Sequence, residues 1–167
     1  MNTCRYSILM LVIVLAALAS AICLDPNSAA TTTVEAAPVP APSPDKPAYA
    51  GYKGVLVGLT ADEARKKLGN PKDKSDTQDF YVYSDNESAQ VYYDATKNVS
   101  LVSVSYVGKV NGIPTPKDVF GEDVAAKADG SVFKMVRYPK AGYWISYNKT
   151  GGDDPIVTIT IQKMPGQ

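Results

Sequence analysis

Any chemistry done by this chain would have to come from carboxylates. The sequence has no histidine, and its two cysteines are Cys4 and Cys23, both near the N-terminus. The zinc sites built from the usual ligand types are therefore excluded from the rest of the chain, as are Ser-His-Asp and Cys-His relays. The acids cluster as Asp73-x-x-Asp76-x-x-Asp79 and as Asp153-Asp154. The first cluster lacks the spacing and the closing glutamate of a calcium loop. No surrounding motif makes either cluster the carboxylate pair of a glycosidase. Both read as solvated loops. The expectation is a non-enzymatic protein with no catalytic residue, metal or cofactor.

Cys23 has a different potential chemistry, set by its neighbours. Arg5 supplies a basic start, and Ile8 to Ala19 form an apolar run too short for the ~20 residues of a membrane span. Small residues at Ala17, Ala19 and Ala21 suit cleavage after Ala19 or Ala21, so residues 1–21 are expected to be a signal peptide and the protein to be exported. Cys23 then stands close to the new N-terminus as a candidate lipidation site and membrane tether. A lipobox places a small residue just before the cysteine and usually leucine three before it. Here those positions hold Ile22 and Ser20, which leaves an unmodified cysteine as the other reading.

Residues 22–50 are dominated by proline and alanine, with no hydrophobic periodicity. They are expected to form a disordered, partly polyproline II tether. The rest is the right length for one compact domain. Loss of the leader removes Arg5 and no acid, so 17 basic residues become 16 against 17 acidic. That balance gives no reason to expect nucleic acid as a partner.

The elements that position side chains begin at Gly58–Pro71, GLTADEARKKLGNP. Thr60-x-x-Glu63 is a capping box, with Leu59 and Ala64 at staple spacing. Asp62 and Glu63 in the first turn, and Arg65, Lys66 and Lys67 in the last, suit the helix dipole. Ala64 and Leu68 share the face that must cover a sheet. Gly69 permits a left-handed C-terminal turn, and Pro71 forbids continuation. Strands are expected at Gln78–Ser84, Ala89–Asp94 and Val99–Val107, separated by turns at 85–88 and 95–98. The order α-β-β-β predicts an antiparallel meander with a helix on one face.

The pattern returns further along. At an offset of 55, Leu101–Tyr106 lies over Ile156–Ile161, and Phe80–Tyr83 over Met135–Tyr138. At 54, Val91–Asp94 lies over Ile145–Asn148. Thr115, with Pro116 at the first helical position and Gly121 after Phe120, offers a second short helix. The predicted fold is therefore α+β: two tandem α-β-β-β units, 51–110 and 111–167, with short helices packed on one face of the sheet.

The first unit also resembles a known family. Gly58, Leu59, Thr60, Glu63, Leu68, Gly69, Pro71, Tyr81, Val82, Tyr83, Tyr93 and Asp94 carry a pattern similar to that of the SmpA/OmlA (BamE-like) family. That family includes a small lipoprotein of the outer-membrane β-barrel assembly machinery. The tandem arrangement also resembles secreted β-lactamase-inhibitor proteins, which bind an enzyme on the concave face of a sheet. Those are usually stapled by disulfides, and the domain here has no cysteine with which to form one. The resemblances imply a protein-interaction module in the periplasm or at the outer membrane, or else a secreted inhibitor or binder of an extracellular enzyme.

The repeat sorts the strand residues into two faces. Tyr81/Val136, Tyr83/Tyr138, Val91/Ile145, Tyr93/Tyr147, Val102/Val157 and Val104/Ile159 are apolar in both copies and are expected in the core. Phe80, Val82, Tyr92, Arg137 and Trp144 fall on the opposite face. Aromatics and arginine dominate binding hot spots, so these five are the candidate partner-binding residues. Asn86, Asn98 and Asn148 each begin an Asn-x-Ser/Thr sequence, which would accept glycan in a eukaryotic secretory pathway.

Overall fold

The computed structural model describes residues 46–109 and 111–166. The predicted signal peptide, Cys23 and most of the predicted tether lie outside the described residues. The end of that tether is folded onto the domain. Tyr49 packs half-buried against the core, and its N–H donates to the Val119 carbonyl at 3.2 Å.

The first element is α1 (Ala61–Leu68). Its capping box is complete: the Glu63 N–H donates to the Thr60 hydroxyl, and the Glu63 carboxylate accepts from the Thr60 N–H at 2.9 Å. Eight residues do not make a stable helix alone, so packing must hold it. Ala61, Ala64 and Leu68 supply that packing on one buried face. Burial of Leu68 contributes roughly 1.5–3 kcal/mol. Gly69 ends the helix at φ 85°, ψ −159°, outside the predicted left-handed turn and in a region essentially reserved for glycine.

A seven-stranded antiparallel sheet follows, in spatial order β1-β2-β3-β4-β7-β6-β5. Its strands are β1 (Asp73–Lys74), β2 (Gln78–Ser84), β3 (Glu87–Tyr93), β4 (Val99–Val107), β5 (Val132–Tyr138), β6 (Tyr143–Lys149) and β7 (Ile156–Lys163). The alternation in 99–107 placed β4 correctly. The first hairpin is tighter than predicted: β2 and β3 are joined by Asp85 and Asn86 alone, and Glu87 and Ser88 belong to β3. The two-residue β1 was not anticipated. A second short helix, α2 (Pro116–Phe120), has its own capping box between Thr115 and Asp118, and Gly121 closes it in the left-handed conformation.

The core lies between the helices and one face of the sheet. Val91, Ile145, Tyr93, Tyr147, Val102, Val157, Val104, Ile159, Tyr81 and Tyr138 are buried there. Tyr83 and Val136, expected beside them, are half-buried and pack against the core edge. Val119 and Phe120 of α2 complete the cluster.

The two meanders do not share one register. Val91 pairs with Val102, but Ile145 pairs with Ile161, four residues beyond Val157. Asp79 pairs with Val91, while Ile145 faces Val136, two residues beyond the position an offset of 55 specifies. The second hairpin contains a 3₁₀ turn (Pro139–Ala141) followed by Gly142, which makes its connection longer than the two-residue turn of the first. Because both slips are even, the faces are preserved.

Asp79 corrects the reading of its acidic cluster as a solvated loop. It is on the core face of β2 and fully buried. Arg65 of α1 reaches it with two hydrogen bonds, and the hydroxyls of Tyr93 and Tyr81 donate to Oδ2 at 2.6 and 3.3 Å. Burial alone raises this carboxyl. The Arg65 and Tyr93 hydrogen bonds, the guanidinium charge and the Tyr81 hydroxyl outweigh burial and hold it below the usual carboxylate range. Burial, with the neighbouring Asp79, pushes the Tyr81 phenol up to about 12, so it remains a donor at neutral pH. The ion pair thus ties the helix to the sheet.

Candidate functional site

Strand alternation leaves the second sheet face without a buried residue. Every side chain on it is half-buried or exposed among the described residues. The register sets these side chains in rows across the strands. One row runs Gln78, Tyr92, Leu101, Gln162, Trp144, Arg137. The next runs Phe80, Gln90, Ser103, Thr160, Ser146, Met135. The third runs Val82, Ser88, Ser105, Thr158, Asn148, Phe133.

Three of the five candidate residues therefore share one row. Trp144 is the direct cross-strand neighbour of Arg137, and Leu101 and Gln162 fill the two positions between Trp144 and Tyr92. With strands ~4.8 Å apart, Tyr92 and Trp144 are ~14 Å from each other. Phe80 lies diagonal to Tyr92, within reach of a large side chain. Val82 follows on the same strand and is 44% exposed. The five trace a path across the sheet rather than a compact pocket.

Leu101, Gln162, Met135 and Phe133 belong to this face and were missed. Phe133 is 58% exposed and Met135 46%. Their signal was present, since both share the parity of Arg137 along β5 and Leu101 shares that of Ser103 and Ser105 along β4. Arg137 is charged at one end of these rows, and Asp73 of β1, opposite Phe80, adds a charge at the other edge. Aromatics, methionine and arginine with few other charges match the centre of a protein interface. The middle of the face instead carries hydroxyls, with Ser103 and Thr160 hydrogen-bonded across β4 and β7 at 3.2 Å. Such groups can exchange hydrogen bonds with a partner.

The acidic residues do not converge. Asp73 is on the sheet edge, Asp76 lies 3.5 Å from the Lys97 amine, and Asp79 is consumed by Arg65. Asp153 and Asp154 lie exposed in the loop before β7. Among the described residues, no group of three or more histidines, cysteines or acids is placed to hold a metal ion. In comparisons with known proteins, the chain matches no protein-family model, no curated protein and no solved structure.

Proposed function

We propose that this is an exported, non-enzymatic protein-interaction module of the cell envelope, similar in role to the accessory lipoproteins of outer-membrane assembly. Its partner docks on the uncovered sheet face. The observation that carries this reading is the row joining Tyr92, Leu101, Gln162, Trp144 and Arg137 across four strands and onto the edge strand β5. A large, nearly uncharged face with aromatic anchors is suited to a protein surface rather than to a small molecule.

The same proposal takes the chain as two tandem α-β-β-β units, 51–110 and 111–167. Supporting this, α1 and α2 both open with a threonine capping box, at Thr60 and Thr115. The last strands of the two meanders, β4 and β7, pair at the centre of the sheet. The units share side-chain parity, with register altered by their connections. Cys23 and the tether preceding the domain would hold it at a membrane surface.

A secreted inhibitor or binder of an extracellular enzyme is the second reading. It is favoured by the continuity of the open face across both meanders, which offers one broad platform. The discriminating experiment is affinity capture from envelope and culture-medium fractions, comparing the wild type with a Trp144→Ala/Tyr92→Ala variant. Capture from the envelope that is lost in the variant supports the first reading, and capture of a secreted enzyme supports the second. Partners unchanged in the variant would reject the face as the site. Palmitate labelling, with and without Cys23→Ser, tests the anchor separately.

A further inference from the structure

The two edges of the sheet are built differently. One ends in β1, two charged residues long and preceded by Pro71, a form that discourages further pairing. The other ends in β5, seven residues in unbroken register with β6 and free of proline and bulges. Among the described residues, no backbone hydrogen bond reaches β5 from the 121–131 segment that precedes it. A strand of this kind has a free row of backbone donors and acceptors. Lys134 is not a bare guarding charge, because its amine is paired with Glu122 and lies 5.5 Å from the centre of the Phe120 ring.

We propose that β5 pairs antiparallel with β5 of a second copy, about a two-fold axis through Met135, joining two sheets edge to edge. Met135 is the midpoint of the strand, so this register overlaps all seven residues. It sets Phe133 opposite Arg137 of the second copy twice, an arrangement suited to cation–π contact. Met135 meets itself, and Lys134 meets Val136. An axis through Lys134 would instead oppose two lysines, which is unfavourable. An axis through Val136 would lose overlap and bring Pro139 against Phe133. The chosen register covers the two exposed apolar residues of the edge, Phe133 and Met135. Because a two-fold axis normal to the sheet keeps each residue on its own side, the open faces of the copies become one surface. This association does not rest on which partner occupies the face.

Sedimentation equilibrium of protein purified from the full-length coding sequence, over concentrations up to about 1 mM, reads the association directly. The wild type is expected to show reversible dimerisation. Phe133→Lys opposes Arg137 twice and Met135→Lys places two like charges on the axis, so each should raise the dissociation constant by about tenfold. Phe133→Lys/Arg137→Glu restores opposite charges in this register and should return the constant to within about threefold of wild type. Phe133 is more than half exposed, so these variants should melt like the wild type. A monomeric wild type throughout the range, or a double variant no tighter than Phe133→Lys, would overturn the proposal. The Trp144→Ala/Tyr92→Ala variant leaves every residue of β5 in place, so its sedimentation reads the association independently of partner capture.

Discussion

The Arg65 guanidinium holds the buried Asp79 carboxylate at both oxygens, Nε to Oδ2 at 2.7 Å and Nη2 to Oδ1 at 3.1 Å. This forked pair joins the last turn of α1 to the second strand of the sheet, and it is more directional than a lysine contact would be. Arg65 also lies 5.4 Å from the centre of the Tyr93 ring.

The pair is asymmetric in burial, which fixes the order of two mutational effects. Arg65→Ala leaves a carboxylate that is wholly inside, and should cost roughly 3–5 kcal/mol. Asp79→Asn leaves a guanidinium that is already 22% exposed and can turn to water. It should cost clearly less. Urea denaturation of both variants checks the order, and an equal or reversed cost would refute it.

Acid sensitivity follows from the same carboxyl. Its folded pKa lies below the unfolded value of about 3.9, so the unfolded chain binds more protons at low pH. The stabilisation is complete above the unfolded pKa and is lost as pH falls through the folded one. Stability measured by urea midpoints should be level above about pH 5 and fall below about pH 4. Arg65→Ala should make that fall shallower without abolishing it. Glu63, Asp118 and Asp129 are also held low by threonine or serine hydroxyls and backbone N–H groups, and Asp94 is lowered to about 2 by the Thr96 hydroxyl and the Asn98 amide.

Two buried tyrosines should respond oppositely to loss of their hydroxyls. Tyr93→Phe removes a 2.6 Å hydrogen bond to a charged acceptor and should cost roughly 1.5–3 kcal/mol. Among the described residues, the buried Tyr138 hydroxyl has no hydrogen-bond partner. Tyr138→Phe should therefore be neutral or stabilise by about 1 kcal/mol. Thermal denaturation of the pair is the measurement, and a Tyr138→Phe loss equal to that of Tyr93→Phe would contradict it.

Each capping threonine should matter to a similar extent. Thr60→Ala and Thr115→Ala each remove a reciprocal cap and should destabilise by about 1 kcal/mol, while serine at either position should largely preserve stability. Denaturant melts of the four variants test this.

The Trp144→Ala/Tyr92→Ala variant used for partner capture should stay folded, because both residues are half-exposed and outside the buried core. A change beyond about 2 kcal/mol would mean that the face is packed in solution, contrary to the proposed docking role.

The limits of α1 and β4 were legible because local rules decide them. A capping box starts the helix, glycine and proline stop it, and a period-two alternation defines a strand that is half covered. The same alternation separated Tyr92, Trp144 and Arg137 from the core residues. Even-numbered register slips could not upset that separation, since parity along a strand is a local property. The register itself was not legible. It depends on connection length, and the Pro139–Ala141 turn displaced the second meander relative to the first. The role of Asp79 was hidden for a related reason. Its neighbours in sequence, Asp73 and Asp76, suggested a solvated acidic loop, whereas the residues that make its burial tolerable, Arg65 and Tyr93, lie 14 positions away in each direction.

The sequence by itself determined which side of each main strand is apolar and where the helices begin, because those follow from side-chain type and short-range hydrogen bonding. Only the tertiary structure decided that the two meanders meet through β4 and β7, that one row carries Tyr92, Trp144 and Arg137, and that β5 stands at the edge of the sheet. Strand order and register are settled by contacts between residues far apart in the chain, and a one-dimensional pattern does not specify which of the sterically allowed pairings closes around the common core.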